Sequence, residues 1–207
     1  MKTPKTKATK TQEALQIPPI EIKQAKITLQ GTTPLLVQKF TTKSRRQMAD
    51  KHQKKATGAR EVRNPHAEFE ASMYKTKDGK HAIPAAGLKK CAVSACRWIE
   101  GISMTRALGS FFVIGNEEGL VPIKASEPVM QEDIVRVGNF GNKKPDLRYR
   151  ARYDEWSVAF NVRYNAKIIS PEQLLNLYEN AGFHVGLHEN RPEKSGNTYG
   201  MFQVARA

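Results

Sequence analysis

Apolar and polar residues alternate in several stretches of this chain, and the alternation predicts β-strands. The first strand is expected from Ile20 to Gly31, with a bulge at Lys23-Gln24, where the alternation changes phase. A long strand is expected from Tyr149 to Ile169, with one apolar face and one polar face. Shorter strands are expected at residues 111–114, 120–123, 133–137 and 201–204.

Apolar residues that recur three and four positions apart predict helices elsewhere. The clearest helix is expected over residues 85–100. A second is expected to begin at Ser170-Pro171, where serine can cap the helix and proline can occupy its first position, and to end at Gly182. Asn64-Pro65 favours the same kind of start for a shorter helix that runs to about Tyr74.

The order of these elements predicts the fold class. The strong elements follow one another as strand, helix, strand, strand, helix, strand, which is the βαββαβ pattern of an α+β, ferredoxin-like or RRM-like fold. A hairpin turn is expected at residues 77–80, and open loops at 138–147 and 182–200. Residues 1–16 are expected to form a disordered basic tail, and residues 17–207 a single domain.

The charge of the chain indicates a polyanionic partner. Its 34 Lys and Arg exceed its 20 Asp and Glu by 14, and a positive field of this size attracts polyanions. Much of the charge falls in residues 38–63, which are too polar for a core and are expected to form a long, mobile or partly helical insertion. The residues expected to contact phosphates there are Lys39, Lys43, Arg45, Arg46, Lys54, Lys55, Arg60 and Arg63. A solvated loop without a ligand is the alternative.

A second basic cluster begins the predicted long strand. Arg148, Arg150 and Arg152 alternate with Tyr149 and Tyr153, which places arginines on one face and aromatic rings on the other. That arrangement suits a single strand, with its phosphates paired and its bases stacked. An ordinary exposed β-ribbon with charged edges is the competing interpretation. Further candidate nucleic-acid contacts are Lys89, Lys90, Arg97, Lys143, Lys144, Arg163, His188, Arg191 and Lys194.

Three segments carry a resemblance to a known family. They are Gly31-Thr32-Thr33-Pro34-Leu35, Ile83-Pro84-Ala85-Ala86-Gly87-Leu88-Lys89, and the C-terminal run that contains Gly182-Phe183-His184-Val185-Gly186, Asn190-Arg191-Pro192 and Tyr199-Gly200-Met201-Phe202-Gln203-Val204. The last run resembles the glycine-rich loop and final strand of the RAMP superfamily, the RRM-like proteins that build CRISPR effector complexes. The resemblance implies a repeating backbone subunit that lines up along a guide RNA.

The sequence gives little support for catalysis. It contains no nucleophile elbow, no phosphate-binding P-loop and no metal-ligand cluster, and His184 with His188 is too few ligands for a metal pair. No cofactor or metal is therefore expected. Among RAMP-like proteins, however, metal-independent nucleases cut RNA with groups such as histidine. His66, His81, His184 and His188 keep that alternative open.

Cysteine spacing and hydropathy bear on the compartment. Cys91 and Cys96 lie five apart in the predicted helix, a separation of about 140° around its axis, so two buried thiols are expected rather than a disulfide. A reducing, cytoplasmic location follows. No apolar run approaches the roughly 18 residues of a membrane span, and the N-terminus lacks the apolar region of a secretory signal, so no membrane partner is expected.

The sequence as a whole predicts a non-catalytic protein that binds single-stranded nucleic acid. RNA is favoured and single-stranded DNA stays open, with a homo-oligomer forming along the strand. A metal-independent RAMP-type endoribonuclease is the first alternative. A basic structural nucleoprotein or virion component is the second.

Overall fold

The computed structural model describes residues 17–53, 62–138 and 141–205. The predicted basic tail and the candidate residues Lys54, Lys55 and Arg60 lie outside the described residues, and so does the side chain of Lys43. The strands are β1 (Ile22–Gly31), β2 (Leu35–Val37), β3 (Tyr74–Lys75), β4 (His81–Pro84), β5 (Phe111–Ile114), β6 (Leu120–Ala125), β7 (Val129–Val137), β8 (Lys144–Tyr153), β9 (Trp156–Asn165) and β10 (Phe202–Val204). The helices are α1 (Thr42–His52), α2 (Pro65–Ala71), α3 (Ala85–Ala95), α4 (Met104–Ser110), α5 (Pro171–His184) and α6 (Pro192–Ser195).

The main sheet has the strand order of a ferredoxin-like fold. Its order is β10-β1-β9-β6-β4-β3, with β5 beside β9, and every pair is antiparallel. Taken alone, β10, β1, β9 and β5 are the fourth, first, third and second strands of a βαββαβ unit, with α3 between β1 and β5 and α5 between β9 and β10. The predicted α+β, RRM-like fold is therefore confirmed.

One face of this sheet carries the core. Buried apolar residues of β1 and β9 meet Leu88 of α3 and Leu174 of α5 in one continuous cluster. Ser170 caps α5 through its hydroxyl, and Gln173 completes the predicted capping box. Near the end of α5, a Cβ at Gly182 would overlap the carbonyl oxygen of Phe202, so glycine is required for the helix to approach β10. α3 and α5 both pack on this face of the sheet, and neither packs on the opposite face.

The predicted long strand Tyr149–Ile169 is wrong, because two strands occupy that stretch. The backbone N–H groups of Asp154 and Glu155 donate to the Ser126 hydroxyl at 3.1 and 3.3 Å, and the chain turns there from β8 into β9. β8 then pairs with β7 and with β2 in a separate three-stranded sheet, which we call the arm. The expected loop at 138–147 is correspondingly shorter, since β8 begins at Lys144.

Of the predictions for shorter segments, some are confirmed and some are wrong. β1 pairs with β9 without interruption from Ile22 opposite Asn165 to Gln30 opposite Ser157, so the expected bulge at Lys23-Gln24 is absent. Within the insertion, α1 provides the partly helical structure that was expected. β2 and α4 were not predicted. No helix in the described ranges is both long and apolar enough to cross a membrane.

Candidate nucleic-acid interface

Arg150 of β8 lies inside the protein instead of on an open ribbon. Its side chain is 7% exposed and donates to Asp133 Oδ2 at 3.2 Å and to Gln38 Oε1 at 3.2 Å, with Glu189 Oε2 at 3.7 Å. These partners come from β7, from the end of β2 and from the loop after α5. Because burying a guanidinium requires such compensation, Arg150 holds three segments together, and its guanidinium is not on the exposed face that the predicted contact with a nucleic acid assumed.

The tyrosines of the predicted stacking face are also occupied. Tyr153 is 1% exposed, and its hydroxyl lies 2.8 Å from His81 Nδ1. Its ring is therefore buried in this structure and is not on the exposed face that the predicted stacking assumed. Tyr149 is half-buried beneath the Arg63 guanidinium, 5.8 Å from its ring centroid. Burial, together with Glu132, raises the pKa of Tyr149.

Arg63 joins the insertion to the arm. Its guanidinium binds both carboxylate oxygens of Glu68 and donates to Asp146 Oδ1 at 2.9 Å and to the carbonyl oxygen of Leu147 at 2.6 Å. Arg148 pairs with the other oxygen of Asp146 at 2.9 Å. The Arg63 guanidinium lowers the pKa of Glu68. Arg63 thus holds α2 against β8, whereas the pair of Arg148 and Asp146 lies within β8.

Four more candidate cations are paired with carboxylates. Arg152 pairs with Asp154 at 2.8 Å. In the loop after α5, Glu193 accepts from Arg191 at 3.0 Å and from Arg97 at 2.9 Å. Lys194 bonds Glu189 at 2.6 Å.

Other candidates have no carboxylate within 4.0 Å among the residues that the structure describes. They are Lys39, Arg45, Arg46, Lys89, Lys90, Lys143, Lys144 and Arg163. Arg45 and Arg46 are exposed on α1, and Lys143 and Lys144 lie at the outer end of the arm. We call this set the unpaired cations. A cation without a protein counter-charge remains available to a phosphate.

Three predicted segments meet beside α1. Lys39 places its Nζ 5.8 Å from the ring centroid of Tyr74, and that ring contacts His188 at a centroid distance of 6.0 Å. His188 precedes Glu189, the partner of Arg150, and has a positive φ of 60°. Burial lowers the pKa of His188 to about 4, so its imidazole is neutral near pH 7. The insertion, β8 and the glycine-bearing loop are therefore brought together as an interface would require.

Phe112 was missed in the sequence although it lies against a candidate residue. Lys89 extends from α3 so that its Nζ is 3.7 Å from the Phe112 ring centroid, and it donates to the carbonyl oxygen of Leu108 at 2.7 Å. Phe112 is 55% exposed on the edge strand β5. Alternation within Phe111-Phe112-Val113-Ile114 was the available signal, since it turns Phe112 away from the core when Phe111 turns in.

Few residues that could act in acid–base catalysis or bind a metal lie close together in the described part of the chain. The rings of His66, His81, His184 and His188 contact five different aromatic side chains, and no two of the histidines share one. These side chains are Phe69, Tyr153, Trp98, Phe183 and Tyr74. Within the described ranges, no three His, Cys, Asp or Glu side chains are placed to hold a metal ion. Cys91 and Cys96 are buried free thiols, and burial raises the pKa of both.

The structure is similar to two solved structures at low sequence identity. Cmr6 from Pyrococcus furiosus is 11% identical with a TM-score of 0.46, over 89% of this chain and 99% of that chain. A chain in the structure of the type III-B Cmr-beta bound to cognate target RNA is 13% identical with a TM-score of 0.47, over 89% of this chain and 59% of that chain. This chain thus spans less than two thirds of the second neighbour.

Two other comparisons found no relative. No protein-family model matches the sequence, and no curated protein matches it.

Proposed function

We propose that the protein binds single-stranded nucleic acid, RNA in preference to DNA, without cutting it, and that copies of the chain line up along the strand. The observation that carries the proposal is the division of the candidate cations into paired and unpaired sets. The paired arginines hold the arm, the insertion and the loop after α5 in place. The unpaired cations lie on or beside α1, at the outer end of the arm, on α3 and on the main sheet.

Charge supports a polyanionic ligand on α1. Arg45 and Arg46 are exposed, and Lys39 lies at the start of the same segment. Neutralising phosphates with such residues releases condensed counterions, which is favourable and depends strongly on salt. The resemblance of the glycine-bearing loop and the last strand to RAMP proteins favours RNA over DNA.

The arm supports assembly along the strand. On its outer half Ile134 stands opposite Leu147, and the two are 75% and 36% exposed. Exposed apolar side chains that are paired across two strands suit contact with another protein surface, and a second copy of this chain would bury them.

The absence of cutting is proposed from the same contacts. A general base and a general acid must lie within reach of one substrate. The four candidate histidine rings instead contact separate aromatic side chains, and no two of them share one. The lowered pKa of His188 also leaves this imidazole without a proton to donate near neutral pH.

The test is a titration of the full chain with single-stranded RNA, single-stranded DNA and duplex RNA of equal length at two salt concentrations. The decisive variant is Arg45→Gln/Arg46→Gln. Its matched control is Lys77→Gln/Lys80→Gln, which removes the same charge from lysines paired with Glu117 and Asp78. We expect the α1 variant to bind RNA about tenfold more weakly, and the slope of log affinity against log salt to fall by about 0.7 for each phosphate that the variant leaves unneutralised. The control should change affinity less than twofold.

Two further readouts complete this experiment. The RNA should be recovered intact with or without divalent ions, and the number of bound copies should increase with RNA length. Specific cleavage would contradict the non-catalytic proposal. Equal losses of affinity in the two double variants would show that only net charge matters and that α1 is not an interface.

A further inference from the structure

The face of the main sheet opposite α3 and α5 is open over its central strands. Register defines the face: Gln24, Lys26, Thr28 and Gln30 of β1 are cross-strand partners of Arg163, Asn161, Ala159 and Ser157 of β9. The neighbouring strands extend it, since Phe112 is opposite Arg163, Ile114 opposite Asn161, Lys124 opposite Ser157, and Gln203 of β10 opposite Gln30. We call these twelve residues the open sheet face.

The charges on the open sheet face all have one sign. Its ionisable residues are Lys26, Lys124 and Arg163, all exposed, and the face contains no carboxylate. None of these three cations has a carboxylate within 4.0 Å in the part of the chain that the structure describes. The face therefore contrasts with the arm, where carboxylates neutralise nearly every arginine.

Two rows of side chains cross the central strands. One row is Phe112, Arg163 and Gln24, and the next is Ile114, Asn161 and Lys26. Neighbouring strands are about 4.8 Å apart and residues two apart on one strand about 6.7 Å, so each row combines an apolar side chain, an amide and a cation within the span of a nucleotide or two. Amide groups can accept from and donate to base edges, whereas Arg163 and Lys26 can neutralise phosphates.

Phe112 supplies the aromatic surface of this arrangement. The ammonium group of Lys89 lies 3.7 Å from its ring centroid, after reaching around the edge strand β5 from the helix layer. This cation–π contact holds the ring in place, while the ring remains 55% exposed. A fixed, exposed ring beside an arginine is a stacking surface for an unpaired base.

We propose that the open sheet face is a binding site for single-stranded RNA, in which a base stacks on Phe112 while Arg163 and Lys26 contact the adjoining phosphates. This inference rests on the proposed function and adds a site apart from α1 and the arm. A base can reach Phe112 only when it is not stacked within a duplex, so the site selects single strands. A protein partner is the less suitable occupant, because the face carries three uncompensated cations and six amide- or hydroxyl-bearing residues in place of an apolar patch.

Substitution at Phe112 gives the sharpest test, with Phe183 as its control. Phe183 lies at the end of α5 and is 66% exposed, so Phe183→Ala removes a similarly exposed ring from the helix side. We expect Phe112→Ala to weaken single-stranded RNA binding about fivefold or more and Phe183→Ala less than twofold. Phe112→Tyr keeps the ring and should restore binding to within twofold of the parent chain. Circular dichroism of each variant verifies that it is folded.

Photo-crosslinking identifies the site without any substitution. Single-stranded RNA that contains 5-iodouridine should form an adduct with Phe112 in the parent chain, located by mass spectrometry of the digested complex. Arg163→Gln should lower both affinity and its salt dependence more than Arg106→Gln, which removes an exposed arginine from α4.

The outcomes separate this inference from the proposed function. If Phe112→Ala binds RNA as well as Phe183→Ala does, and crosslinks map only to α1 or the arm, the open sheet face is not an RNA site although the proposed function stands. If the parent chain binds no single-stranded RNA, both are overturned. A loss of affinity shared by Phe112→Ala and Phe112→Tyr would also overturn the stacking role.

Discussion

Arg150 of β8 and Arg163 of β9 occupy similar patterns of sequence and opposite environments. Each lies in a ten-residue strand between aromatic or apolar neighbours that alternate with polar residues. The whole Arg150 residue is 6% exposed, and its side chain has three polar partners. Arg163 is exposed and has no carboxylate near it among the described residues. The same residue type in the same kind of strand thus has a structural role in one case and an available charge in the other.

The difference comes from what covers each strand. β8 lies between β2 and β7, with α2 and the loop after α5 packed near it. β9 lies in the middle of the main sheet, where one face packs against helices and the other is open. Alternation indicates which residues share a face of a strand, but the cover of that face is decided by segments distant in sequence. A cluster of cations in a sequence is therefore weak evidence of an interface until their partners are known.

Removal of Arg150 should give the largest effect of this comparison. Arg150→Met leaves the nearly buried Asp133 carboxylate without its counter-charge and leaves Glu189 paired only with Lys194, and we expect the free energy of unfolding to fall by about 3 kcal/mol. Arg163→Met removes no partner and should change it by less than about 0.5 kcal/mol. Urea unfolding followed by circular dichroism measures both values. Equal decreases would mean that exposure does not distinguish the two arginines.

The fold could be predicted from the sequence because local signals agree with the tertiary structure. Ser170-Pro171 and Asn64-Pro65 both start helices as expected, and their side chains cap them. The order of strands and helices was sufficient to identify the ferredoxin-like core. The break between β8 and β9 was missed although the phase of the apolar positions changes there, from Tyr153 to Trp156. A change of the apolar positions from odd to even residue numbers can indicate either a turn or a bulge.

The candidate site could be predicted only in part. The sequence identified Arg45, Arg46 and Arg163, which have no carboxylate within 4.0 Å among the described residues. It also identified Arg63, Arg148 and Arg150, which are paired with carboxylates. The carboxylates that neutralise the latter lie up to 83 positions away along the chain, as Arg63 and Asp146 show. Lys26 and Phe112 were missed for the converse reason, since single residues acquire a common face only through strand pairing.

His188 precedes Glu189, the partner of Arg150, and its own burial should make the free energy of unfolding depend on pH. The folded-state pKa of His188 is about 4, below the ordinary value of 6.5, so the unfolded chain binds this proton first as the pH falls. Stability from this group is complete above about pH 6.5 and is lost toward pH 4. His188→Asn removes the titration and tolerates the positive φ. Between pH 7 and pH 5 its stability should fall by about 2 kcal/mol less than that of the parent chain, as measured by urea unfolding at each pH.

A control for His188 is available at the other end of the same loop. His184→Asn removes a histidine that stacks on Trp98 at a centroid distance of 4.9 Å. Its pH dependence should follow that of the parent chain. If both variants lost the same part of the acid sensitivity, the environment of His188 would not be the cause.

Substitution of Arg152 should change the stability least and gives the closest comparison with Arg150. Both are arginines of β8 that pair with a carboxylate, and they differ mainly in exposure. Its side chain is 33% exposed and that of its partner Asp154 is 48% exposed. Solvent screens a pair of this kind, and we expect the coupling energy from the double-mutant cycle of Arg152→Ala and Asp154→Ala to be no more than about 0.5 kcal/mol. Thermal or urea unfolding of the four chains measures it. A coupling energy above about 1.5 kcal/mol would show that an ion pair gives an arginine a structural role even when it is exposed. In that case the distinction between Arg150 and Arg163 would depend on the presence of a carboxylate and not on burial.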